Sequence, residues 1–211
     1  MLQRTEATPN KDSLKFKPSG KQVMENGGTV EFLTKKESLN SPLASTLFNI
    51  QGVQSVFFGP DFISITKDED QPWQLMKPDI YSSIMDFFST GKPILIEGGY
   101  QSPKDTIVLE TDSEEVAMIK ELLDTRIRPT IQEDGGDIEY CGFENGIVKL
   151  KLRGACRTCD SSVITLKNGI ENMMMHYIPE IKGVEQVLDE MEELGNKEFK
   201  KLESKLEKKA V

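Results

Sequence analysis

Two cysteines, Cys156 and Cys159, stand two residues apart between a strand pattern and a helix pattern. That junction constrains the chain more than any other stretch. Upstream, Ile147 to Leu152 alternates apolar and charged residues, the period of a half-buried strand. Downstream, Val163 to Ile178 reads as a helix, with Val163, Leu166, Ile170, Met173, Met174 and Tyr177 near one face. The thiols therefore occupy a strand-to-helix turn, Cys159 near the N-cap and Asp160 in the first helical turn. The positive end of the helix dipole and its unpaired N–H groups favour thiolate there. Thiolate is the form that binds soft metals, so this turn is a place to hold iron or zinc.

Zinc and iron–sulfur clusters usually take four protein ligands, and one C-x-x-C supplies two. His176 lies seventeen residues beyond Cys159 on the same helix. At 1.5 Å per residue that is about 25 Å, too far to share a metal. It reads as a structural or solvated histidine. If Asn145-Gly146 is a two-residue hairpin turn, Cys141 faces Leu150 and points into the core with Val148 and Leu152. It then reads as a buried apolar thiol. The missing ligands can come from a second copy, because a two-fold dimer brings two C-x-x-C turns together. The residues leave the chemistry open between an iron–sulfur cluster, a bridging zinc and a dithiol–disulfide couple. The Trp-Cys-Gly-Pro-Cys surroundings of thioredoxin-like proteins are absent, since the single tryptophan is Trp73.

The patterns along the chain predict an α+β protein of two small mixed domains. In residues 1–96, Ser13 to Lys17 reads as an edge strand and Thr29 to Leu33 as a second strand. Ser41-Pro42 opens a short helix. Gly59-Pro60-Asp61 turns a hairpin, and Pro72 to Thr90 forms a helix interrupted or restarted at Pro78, giving a ββαββα order. Residues 97–112 lose periodicity and read as a linker. Residues 113–189 read as αββαβ: a helix from Ser113, strands Ile138–Phe143 and Ile147–Leu152, the cysteine turn with its helix, and a last strand from Gly183. Residues 190–211 form a charged helical tail.

A net charge of −9 opposes a phosphate-binding surface, so nucleic acid is not an expected partner. No apolar run approaches the roughly 20 residues that span a bilayer, so no membrane is expected either. Met1 to Glu6 has neither the apolar core of a signal peptide nor the character of a transit peptide, which is expected to have been left out or removed. Three cysteines, two of them in C-x-x-C, suit a reducing compartment better than a disulfide framework.

The residues Ile127-Arg128-Pro129-Thr130-Ile131-Gln132-Glu133-Asp134-Gly135-Gly136-Asp137, Gly154-Ala155-Cys156-Arg157-Thr158-Cys159 and Ile164 to Ile170 resemble the Nfu-type (NifU-like) iron–sulfur cluster scaffolds. In the first half, Thr8-Pro9-Asn10, Ser13 to Phe16 and Gly52 to Phe62 resemble the N-terminal domain of the two-domain mitochondrial form. The resemblance implies a non-enzymatic carrier that holds a [4Fe–4S] cluster between subunits through Cys156 and Cys159. It implies upstream cluster assembly proteins as donors, and delivery in the mitochondrial matrix to apo-proteins such as lipoyl synthase. One departure stands out. The family usually has proline after the second motif cysteine, where this chain has Asp160, which adds a negative charge beside the thiolates and restores a backbone N–H.

Overall fold

The structure is a computed structural model that describes residues 3–24, 27–96, 105–157 and 160–188, with backbone alone at 3 and 160–167. The first half holds strands β1 (Gln3–Ala7), β2 (Ser13–Pro18), β3 (Val30–Phe32), β4 (Val53–Phe58) and β5 (Ile63–Lys67), with helices α1 (Pro42–Leu47) and α2 (Trp73–Thr90). The strands form one sheet in the order β1-β2-β5-β4-β3, each pair antiparallel. Phe16, Val30, Phe32, Val56, Phe58, Ile63 and Ile65 cover one face and pack with Leu43, Leu47, Met76, Ile80 and Ile84 of the helices.

Two readings of this half change. Ser13–Pro18 is an inner strand, because the polar segment Gln3–Ala7 adds itself outside it as β1. Gln3 to Ala7 has no apolar alternation to announce a strand, and the turn that returns it is local, with Thr8 Oγ1 donating to the Asn10 and Ser13 carbonyls. The helix over Pro72 to Thr90 runs unbroken through Pro78. One lost backbone bond is outweighed by burial of Met76, Ile80 and Ile84 on both sides of the proline. Ser41 caps α1 as expected, accepting from Ala44 N at 3.1 Å.

The second half holds α3 (Glu114–Leu122), a π turn over Leu123–Ile127, α4 (Arg128–Glu133), β6 (Gly136–Glu144), β7 (Ile147–Gly154), α5 (Asp160–Tyr177) and β8 (Gly183–Gln186). Its sheet runs β6-β7-β8, antiparallel then parallel, over a separate core of Ile119, Leu123, Ile127, Ile131, Ile138, Val148, Leu150, Ile170, Met174 and Ile178. Asn145 and Gly146 both have positive φ, 54° and 86°, and pair Glu144 with Ile147 and Phe143 with Val148, as the turn chemistry predicts. On α5, Ile170 and Met174 are the buried positions, and Ile178 just beyond its end is buried too, whereas Met173 and Tyr177 are exposed; the side chains of Val163 and Leu166 lie outside the described residues. So do residues 97–104 of the expected linker and the whole 190–211 tail.

Cys141 corrects the sequence reading. The ladder shifts between Tyr140 and Gly142, so Tyr140, not Cys141, faces Leu150. Cys141 is the extra residue of a β-bulge, and one extra residue turns a side chain to the other face of the sheet. The thiol is exposed instead of buried in the core.

The five-stranded sheet does not end at its helix-covered face. Glu6, Lys15, Ser64, Phe57 and Glu31 are paired in register across all five strands, a single rung on the opposite face. That rung meets the second half.

Candidate metal centre

The turn that carries the cysteines begins where β7 ends. Gly154 takes φ +66°, and Arg157 N donates to the Gly154 carbonyl at 3.1 Å, closing a turn over 154–157. A side chain at Gly154 is excluded on two counts, positive φ and crowding: an added Cβ would lie 2.9 Å from the Gly135 carbonyl oxygen and 3.0 Å from Phe57 Cγ. α5 is described from Asp160 onward. Thr158 and Cys159 themselves lie outside the described residues.

Cys156 is 4% exposed and packs with the second core. Gly136 makes the room for it, since a Cβ there would come within 2.7 Å of Cys156 Sγ. Among the described residues no three His, Cys, Asp or Glu side chains gather to hold a metal ion. His176 is exposed on the last turn of α5, edge-on to the Tyr177 ring at 5.1 Å and remote in sequence from the cysteine turn. Cys141 sits on the bulge, where partial burial, and after it the Glu139 carboxylate, pushes its thiol up from the ordinary value. Neither completes a site with Cys156.

What the sequence did not disclose is the cover over this turn. Glu31, from β3 of the first half, accepts from Gly154 N at 2.8 Å with one oxygen and from Arg157 Nη1 at 3.0 Å with the other. Glu31 and Arg157 are both nearly buried, their side chains 8% and 5% exposed. Burial raises the Glu31 carboxyl above the ordinary 4.5, against the opposing pull of Arg157 and the Gly154 N–H. Asn10 Nδ2 donates to the Ala155 carbonyl at 3.3 Å. Beside the turn, Lys15 Nζ donates to the Glu133 carbonyl at 2.5 Å and Ser64 Oγ to the Gly135 carbonyl at 2.7 Å. Thr29 Oγ1 donates to Asp137, which is also held by Arg128 at 3.0 Å. Each of these bonds satisfies a polar group that docking takes out of water.

A five-stranded α+β half and an αββαβ half whose sequence carries a C-x-x-C between strand and helix make a two-domain α+β protein with a candidate metal-binding turn. The comparisons agree: residues 2–91 match the family described as scaffold protein Nfu/NifU N terminal, and residues 119–185 match the NifU-like domain. The NFU1 iron-sulfur cluster scaffold homolog, mitochondrial, of Homo sapiens is 59% identical over 191 residues, covering 90% of this chain and 73% of that protein. Its namesake in Drosophila persimilis is 52% identical over 209 residues, covering 99% and 73%. NifU-like protein 4, mitochondrial, of Arabidopsis thaliana is 54% identical over 197 residues, covering 92% and 69%. The chain belongs to the Nfu/NifU family of iron–sulfur cluster scaffold proteins, in its two-domain form, and the mitochondrial assignment made by resemblance stands with it.

Proposed function

We propose that this chain is a carrier, not an enzyme: two copies bind one [4Fe–4S] cluster as cargo through Cys156 and Cys159 of each and pass it to apo-proteins in the mitochondrial matrix. The observation that carries this reading is the cysteine turn itself. In sequence it supplies two thiols between β7 and α5, and among the described residues no three His, Cys, Asp or Glu side chains gather to hold a metal, which supports a site that a second copy completes. The scaffold names of relatives above 50% identity support iron–sulfur cargo over zinc or a dithiol couple. Cluster assembly proteins act upstream, and iron–sulfur acceptors such as lipoyl synthase act downstream. Hand-over proceeds by ligand exchange, with each acceptor thiolate replacing one carrier thiolate while the cluster keeps its iron and sulfide. The division into domains 1–96 and 113–189 is part of the proposal, supported by the two separate cores.

The test is anaerobic reconstitution with iron and sulfide, followed by iron, acid-labile sulfide and solution mass. About four iron and four sulfide per two chains are expected, lost in Cys156→Ala and in Cys159→Ala and kept in Cys141→Ala. A folded protein that retains zinc, or forms a reversible disulfide without iron, would replace the carrier reading with one of the other two.

A further inference from the structure

Cys156 poses a difficulty for any shared cluster. Its sulfur is directed into the second core beside Gly136, and the turn that bears it is covered by the first half. A metal reached simultaneously by thiolates of another subunit must lie outside that core. The turn therefore has a withheld conformation, and the structure shows what holds it there. Four members of the cross-strand rung act on two short segments, 133–135 and 154–157. Lys15 and Ser64 take the Glu133 and Gly135 carbonyls, Phe57 closes over Gly154, and Glu31 takes the Gly154 N–H and the Arg157 guanidinium. Asn10 adds the Ala155 carbonyl.

We propose that the open face of the five-stranded sheet is a docking surface for the chain's own cysteine turn, latched by Glu31, and that it competes with a second copy for that turn. In the docked form Cys156 is withheld from cluster and partner alike. When the halves part, the turn is released to pair with another. The surface suits this occupant closely. Glu31 offers two oxygens to one N–H and one cation, Phe57 fits only against a residue without Cβ, Lys15 donates to the Glu133 carbonyl, and Ser64 adds a second donor to the Gly135 carbonyl that already accepts from Ala155 N. Glu31 is a positioning residue: it touches no cargo and acts through Gly154 and Arg157. The competition with a second copy rests on the carrier reading; the docking does not.

Trypsin cuts after Arg153, Arg157 and Lys167, so Cys156 and Cys159 fall in different peptides and each thiol can be followed by itself. The reduced, cluster-free full-length chain is pulsed with iodoacetamide and the alkylated fraction of each peptide measured over time. In the wild type, Cys156 should react far more slowly than the exposed Cys141. Glu31→Lys, which sets a cation against Arg157, should speed Cys156 labelling by about tenfold or more, as expected when a charge-assisted pair is lost, with Cys141 unchanged and circular dichroism native. Glu31→Gln, which keeps the shape and one acceptor oxygen, should fall between. A folded Glu31→Lys protein with wild-type Cys156 labelling would overturn the latch.

Should Glu31→Lys not fold, the wild type decides in low urea. Labelling of Cys156 through an opening smaller than global unfolding supports docking that can be released, and labelling only through global unfolding overturns it. Iron reconstitution of the same proteins separates the two proposals. Faster cluster loading by Glu31→Gln than by wild type places the latch before cargo binding. Cys156 labelling that responds to Glu31 while no variant retains iron would leave the docking in place and remove the carrier.

Discussion

At Gly154 the backbone turns left-handed while three neighbours crowd the space a side chain would fill: the Gly135 carbonyl, the Gly136 Cα and Phe57. Gly154→Ala must accept both strain and overlap, and neither backbone neighbour can move without shifting the β6–β7 ladder. We expect a loss of about 1–3 kcal/mol, read as a lower urea midpoint with an unchanged slope. A wild-type midpoint would show that the turn relaxes freely. At this scale the sequence was legible where the signal was chemical and local. The alternation of Ile147 to Leu152 announced β7 and with it the turn that bears Cys156, and Asn145-Gly146 announced its own turn. It was illegible at Cys141, where one inserted residue reversed the face of the thiol. The signal that could have exposed this was Gly142, whose φ of +144° few other residues adopt.

Among the elements, α4 and β6 are joined by Ile131 and Ile138 in their shared core as well as by Arg128. Its guanidinium reaches Asp137 at 3.0 Å, Asp105 at 3.2 Å and Asp124 at 3.0 Å, and Asp105 in turn accepts from Tyr140 N at 2.6 Å. Asp137 is 2% exposed, so removal of the arginine leaves a buried carboxylate with only Thr29 and a backbone N–H. Arg128→Leu is expected to cost about 3–5 kcal/mol in chemical denaturation, the penalty of an uncompensated buried charge. Arg128→Leu combined with Asp137→Asn should recover part of it. The resemblance pointed to Arg128 and Asp137 through the stretch Ile127 to Asp137 without saying that they touch. β1 escaped because its residues are polar on both faces and its place in the sheet is decided by β2, not by its own alternation.

For the whole molecule, the two apolar cores share no residue, and what joins the halves is mainly polar. The fragment 1–96 should therefore keep native circular dichroism and a cooperative thermal transition in the absence of the second half. A fragment that unfolds at every temperature would mean the docked turn is part of its core. The existence of two units was readable from the change of pattern after residue 96, because each unit repeats the local periods of its own strands and helices. Their union was not readable. Lys15 and Glu133, Glu31 and Gly154, and Glu31 and Arg157 stand 118 to 126 residues apart, and no local period reports a match over that distance.

That separation also fixes an order in time. As the chain leaves the ribosome amino end first, the first half, which still draws on Ile94, Leu95 and Ile96, is complete at Ile96, and Arg157 follows sixty-one residues later (96 to 157). At 5–20 residues per second this is an interval of roughly 3–12 s in which the rung faces water with nothing to receive it. An apolar face of that size would invite aggregation for as long as it waited. Glutamate, lysine and serine around Phe57 and its neighbour Phe62 make a surface that can wait in solution and still recognise its turn when it arrives.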